Sequence, residues 1–111
     1  MRVRFTPDAA AQAGQIDAWW REHRTAARDL FARELAEARI LISTSPKIGS
    51  VYEVVDEEFV RKIFLPRTRH PLYYKHDAEE IVVLAVWGGT SRTRSQAVMM
   101  VPRHGRPAVR G

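Results

Sequence analysis

Hydrophobic and polar positions along the chain change period twice, and each change marks a different kind of element. Val3 and Phe5 alternate with Arg2 and Arg4, the pattern of a short strand at a sheet edge with one wet face. Thr6-Pro7-Asp8 reads as a helix start: threonine caps free amides, proline suits the first helical position, and aspartate complements the helix dipole. Ala9, Ala13, Ile16, Trp20 and His23 then share one face, which predicts a helix from Pro7 to about His23. With Thr25 as a second cap, Ala27, Leu30, Phe31, Leu35, Ala38, Leu41 and Ile42 carry the helical period on to about Ser43. So short a join predicts an antiparallel helical hairpin, and Ser45, Pro46 and Gly49 close it.

From Val51 the period becomes two. Val51–Val55 and Phe59–Leu65 are strand candidates around the polar turn Asp56-Glu57-Glu58. Pro66–Arg69 connects to a strand over Leu72–His76, and Asp77–Glu80 turns into Ile81–Trp87, whose continuous apolar run predicts a central strand buried on both faces. Short links make these neighbours antiparallel. The expected fold is α+β: a short N-terminal strand, an antiparallel two-helix hairpin, then a three- to four-stranded antiparallel sheet. One domain is expected over residues 1–92. Residues 93–111, with the apolar island Val98-Met99-Met100-Val101, are expected as a poorly ordered basic tail that adds a short strand or lies on a partner.

Composition narrows the chemistry. The 111 residues are 45% hydrophobic, enough for one core and far from the composition of a disordered chain. The absence of cysteine excludes disulfides, thiolate metal sites and a cysteine nucleophile, and fits a reducing cytoplasm. Neither a signal-peptide pattern at Met1–Phe5 nor a membrane-length apolar run is present, so a soluble, unexported protein is expected. The net charge of +5 is unevenly spread: residues 1–60 hold eight Lys and Arg against ten Asp and Glu, while residues 61–111 hold ten against three. That asymmetry suits an acidic partner, and equally a solvated basic face.

Individual residues sharpen this picture. His23, His70, His76 and His104 fall on separate elements without ligand spacing, and no metal or cofactor is expected. Gly88-Gly89-Thr90 lacks the Gly-Lys-Ser/Thr ending of a phosphate loop and reads as a turn. Trp20 sits at core spacing, and Trp19 covers the edge of the hairpin. Basic and aromatic side chains recur on consecutive strands: Arg61, Lys62, Arg67, Arg69, Tyr73, Tyr74 and Lys75, with Arg92 and Arg94 beyond the last strand. Cations hold phosphates or carboxylates, and tyrosines offer stacking surface or a hydroxyl for proton transfer. Period two sends Arg61 and Lys62 to opposite faces, one of them reaching past the helices or pairing with an acid of the second helix.

The order of elements resembles the RelE/ParE superfamily of bacterial toxins. The stretches that carry the resemblance are Trp19-Trp20 followed by Arg24-Thr25-Ala26-Ala27-Arg28-Asp29-Leu30-Phe31, then Pro46-Lys47-Ile48-Gly49, Val60-Arg61-Lys62, Pro66-Arg67-Thr68 leading into Leu72-Tyr73-Tyr74, and Val83–Trp87 running to Arg92. The resemblance implies the toxin of a type II toxin-antitoxin pair, held with its cognate antitoxin in a hetero-oligomer. RelE-like members cleave mRNA on the ribosome with a metal-free basic cluster, whereas ParE-like members inhibit DNA gyrase. Arg61 and Arg92 match the endonuclease pattern, and His70 or Tyr73 would supply proton transfer. Ile63, His70-Pro71 and Val98 stand where that pattern has a cation, an arginine and a tyrosine. The expectation is therefore a ParE-like inhibitor whose target- or antitoxin-binding residues are Arg61, Lys62, Arg67, Arg69, Tyr73, Tyr74, Lys75, Trp87, Arg92 and Arg94. The alternatives are a ribosome-dependent endonuclease using Arg61, His70, Tyr73 and Arg92, and a non-toxic basic binding module.

Overall fold

The computed structural model describes residues 1–88. Strand β1 (Arg2–Phe5) leads into helix α1 (Pro7–His23), a 3-10 turn (Thr25–Ala27) and helix α2 (Leu30–Thr44). Strands β2 (Ser50–Val55), β3 (Glu58–Phe64), β4 (Pro71–His76) and β5 (Glu80–Val86) follow. Arg92, Arg94, the Gly89-Thr90 part of the expected turn and the expected tail with its apolar island lie outside the described residues.

Helix α1 starts where its capping chemistry directs: Thr6 Oγ1 accepts the Ala9 amide at 3.0 Å, with Pro7 in the first turn. Helix α2 begins four residues later than a Thr25 cap would place it. Thr25 does not cap it; Thr25–Ala27 form the separate 3-10 turn, and Arg28 and Asp29 turn the chain before Leu30. Thr25 and Ala26 are exposed, so α-helix at that point would bury nothing, whereas Phe31 lies fully inside the core. The helices run antiparallel. Phe31 near the start of α2 and Trp20 near the end of α1 both meet His70, while Arg39, farther along α2, lies over Phe5 just before α1.

The five strands form one sheet in the order β1-β5-β4-β3-β2. The last four pair antiparallel, and β1 closes the opposite edge by pairing parallel to β5, Val3 beside Ile81 and Phe5 beside Val83. Placed between β1 and β4, β5 is buried along Ile81–Val86 on both faces. On one face, Ala9, Ile16, Phe31, Ala38 and Ile42 of the helices pack against Leu65, Leu72, Tyr74, Ile81, Val83 and Val86. Each large aliphatic or aromatic side chain removed from water there contributes about 1.5–3 kcal/mol. The second face has its own cluster of Val55, Val60, Tyr73, Val82, Leu84, Ala85 and Trp87. A bulge at Leu84, between the Tyr73–Ala85 and Tyr74–Val83 pairs, lets adjacent residues Leu84 and Ala85 join the same cluster. Among the described residues, no helix is long and apolar enough to cross a membrane.

Candidate functional site

The alternation of β3 and β4 divides the basic and aromatic residues between the two faces of the sheet. Lys62 stands opposite Tyr73 in register, and its ammonium lies 5.4 Å from the ring centre of Tyr52, 5.1 Å from Phe64 and 5.9 Å from Tyr73. Arg69, presented by the β3–β4 connection, lies 5.4 Å from the same Phe64 ring. Tyr52 and Tyr73 meet edge to face at 4.8 Å, and Trp87 extends the aromatic row at 6.3 Å from Tyr73. Among the described residues Lys62 forms no ion pair, so its charge is balanced only by ring faces, each worth about 0.5–1 kcal/mol where exposed. Lys75 is more committed, its Nζ 2.8 Å from Glu58. Phe64 is 48% exposed, whereas Tyr73 and Trp87 are buried. At its Phe64 end the accessible part of this face is thus a pair of cations, Lys62 and Arg69, around one open aromatic ring, while the exposed Glu58–Lys75 pair occupies the other end. Tyr52 and Phe64 were not among the expected binding residues, although each falls on the same alternation as Lys62.

Arg61 and Tyr74 lie on the helix side and act as fasteners. Arg61 Nη1 donates to the carbonyls of Gly49 at 2.8 Å and Lys47 at 3.3 Å. It neither passes beyond the helices nor pairs with an acid of α2; the carbonyls of the α2–β2 connection lie nearer. The Tyr74 hydroxyl donates to Pro46 O at 2.7 Å and accepts the Gly49 amide at 3.0 Å, and burial raises its pKa. Gly49 is required there, since a Cβ would come 2.9 Å from that hydroxyl and 3.0 Å from the Lys62 carbonyl.

His70 is buried where both helices meet the end of β5. Its Nε2 accepts from Trp20 Nε1 at 3.0 Å, which makes Nδ1 the protonated nitrogen and the donor to Trp87 O at 2.7 Å. Desolvation lowers its pKa against the opposing effects of that carbonyl and of Glu34. Glu34, also buried, accepts from the amides of Arg67 and Thr68 and from Thr68 Oγ1 at 2.7–3.0 Å. That carboxylate holds the β3–β4 connection that carries the exposed Arg67 and Arg69; its place three residues after Phe31 and four before Ala38, on the core stripe of α2, is the sequence signal that could have found it. Arg61, His70 and Tyr73 therefore do not converge: Arg61 and Tyr73 occupy opposite faces, and both ring nitrogens of His70 are engaged. Arg92 and Arg94 lie outside the described residues.

A helix pair over one face of a mostly antiparallel five-stranded sheet is the architecture of a RelE/ParE-type toxin. Residues 3–92 match the family model described as ParE toxin of type II toxin-antitoxin system, parDE, and the chain belongs to that family. Membership implies a cognate antitoxin as partner. No curated protein and no solved structure matches the chain significantly.

Proposed function

We propose that this toxin inhibits DNA gyrase by binding it in the cytoplasm, and that its cognate antitoxin prevents the encounter. The observation that carries the reading is the separation of the acid-base candidates. Cleaving RNA without a metal needs a base at the ribose 2′-hydroxyl, cations at the phosphate and an acid at the leaving oxygen, all around one point. Arg61 is instead bound to the Gly49 carbonyl, His70 is buried with both ring nitrogens bonded, and Tyr73 stands on the face of the sheet opposite Arg61. Binding asks less of geometry. Lys62 and Arg69 around exposed Phe64 form a cationic, partly apolar surface on a rigid sheet, suited to an acidic protein patch. Supercoiling of relaxed plasmid by purified gyrase tests the proposal: added toxin is expected to suppress it in a dose-dependent way, and premixed antitoxin to restore it. Full supercoiling at saturating toxin, with codon-positioned mRNA cuts on translating ribosomes, would replace inhibition by cleavage.

A further inference from the structure

The antiparallel strands put the β2–β3 and β4–β5 turns at one end of the sheet and the β3–β4 connection at the other, and the two ends carry opposite charge. Asp56-Glu57-Glu58 and Asp77–Glu80 make the first end acidic. At the second, the Trp20–His70 hydrogen bond brings the close of α1 to the β3–β4 connection, so that exposed Arg24, Arg28 and Arg67 gather there. Among the described residues none of these three arginines forms an ion pair. The acids around them are engaged elsewhere: Asp17 with Arg21, Asp29 with Arg33, and Glu34 with the Arg67 and Thr68 amides. Exposed Glu22 alone then stands against three cations.

Flat aromatic surface accompanies that charge. Trp19 and His23, one turn apart on α1, stack at 4.8 Å with their planes 14° apart, and Trp19 remains 44% exposed. Two parallel rings end in faces that can take a third. Arg24 lies 5.7 Å from the Trp19 ring centre, within reach of a phosphate attached to a base stacked there. The free guanidiniums at Arg28 and Arg67, set apart from that stack, call for a chain of phosphates rather than a single nucleotide. The chain's own continuation does not suit this end, because it leaves from Gly88, beside Thr68 and His70, and residues 89–111 hold five arginines and no acid. An acidic peptide would satisfy the arginines and leave the rings unused, whereas a nucleotide strand brings phosphate and ring face together. In a duplex the bases already stack on one another, so the free face selects a single strand.

We propose that this end of the toxin binds single-stranded nucleic acid, one base continuing the Trp19–His23 stack and neighbouring phosphates resting on Arg24, Arg28 and Arg67. The site is separate from the Lys62–Phe64 face and stands whether or not gyrase is the target. Its test is fluorescence anisotropy of the full-length toxin, free of antitoxin, with oligothymidylate and oligouridylate of about 15 nucleotides and a duplex of the same length. The wild type is expected to bind single strands saturably, more tightly than duplex, and less tightly as salt rises. Tighter binding of either strand supports the site and identifies the sugar it takes. Arg24→Glu,Arg67→Glu should weaken binding about tenfold or more and reduce the salt slope by about one to two. Trp19→Ala should weaken it about fivefold or more with the salt slope kept, and Trp19→Phe should restore most of the loss. Arg2→Glu, at the acidic end, is the charge control and should stay within about twofold of wild type. These side chains are exposed, and urea midpoints report whether each fold persists. Affinity within about twofold of wild type in either the charge variant or Trp19→Ala overturns the site, as does a wild-type toxin that binds no strand. Displacement of the strand by oligoglutamate at matched charge also overturns it, and assigns this end to an acidic protein segment.

Discussion

His70 shows how one buried residue ties acid-base chemistry to stability. Trp20 faces it from α1, Phe31 and Glu34 from α2, and the Trp87 carbonyl from the end of β5. Protonating Nε2 would bring two donors together where Trp20 now donates to a lone pair. The folded-state pKa therefore lies below the ordinary 6.5, with desolvation as the main cause and Glu34 opposing it. Below 6.5 the unfolded chain takes up the proton before the folded one does, so the stability from neutral His70 is complete above that pH and declines as pH falls toward the folded value. Asp77, held low by the Glu79 and Glu80 amides, and Glu80, held low by Arg4, are carboxylates whose stabilisation is lost in a more acidic range. Urea midpoints are expected to fall between about pH 7.5 and about pH 5.5 in the wild type. His70→Gln keeps an acceptor for Trp20 but cannot titrate. It should have a lower midpoint near neutrality and a flatter decline; an unchanged slope would remove His70 as the cause.

Among the elements, the β2–β3 hairpin carries local strain that its sequence can relieve. Asp56 and Glu57 form a two-residue turn between the paired Val55 and Glu58, with φ of 53° and 67°. Positive φ at both positions is the turn geometry that matches strand twist and favours Asn-Gly, and a non-glycine residue there costs roughly 1–2 kcal/mol. Replacing Asp56-Glu57 by Asn-Gly is expected to stabilise the domain by about 1 kcal/mol, seen as a melting rise of about 4–8 °C by calorimetry. Elements of this kind differ in how far local sequence reveals them. Helix α1 was legible to its ends, because the Thr6-Pro7-Asp8 cap and the spacing from Ala9 to His23 are local signals. The start of α2 was not: Thr25 resembles a cap, but whether a helix turn persists depends on burial, and that turn faces water. Parallel pairing of β1 with β5 joins residues more than seventy positions apart, and nothing near Arg2–Phe5 encodes it. Period two did reveal that Arg61 and Lys62 part company. It could not show that Arg61 would be spent on the Gly49 carbonyl and that Lys62 would meet three rings, since those partners come from other strands and loops.

Over the whole molecule, the two faces of the sheet differ in what covers them, and charge reversal tests them separately. Over β1, β5 and β4 the helix-side face is filled by core packing, and at β3 and β4 it holds the Arg61 and Tyr74 fasteners, whose loss would show as instability before any effect on a target, while Val51, Val54 and Phe59 at its β2–β3 end stay about half exposed. Lys62 and Arg69 on the other face bond to no carboxylate in the described residues, so replacing them breaks no ion pair of the fold. If the toxin meets an acidic patch of gyrase through this face, inhibition depends on their sign. Half-inhibition of supercoiling should need about tenfold more Lys62→Glu,Arg69→Glu toxin than wild type, because exposed pairs at a protein interface are worth several tenths of a kcal/mol to a few kcal/mol together. Wild-type inhibition should also weaken as salt rises from about 0.05 to about 0.3 M, over which the screening length shrinks well below the span of the charged surface. Arg33→Glu, on the helix side and far from the sheet's second face, serves as the charge control and should leave both curves in place. If the double variant keeps its urea midpoint but loses inhibition and salt sensitivity together, the second face carries the target contact. If it keeps full inhibition, the contact lies elsewhere on the toxin, and the Lys62 cage is a feature of the fold alone.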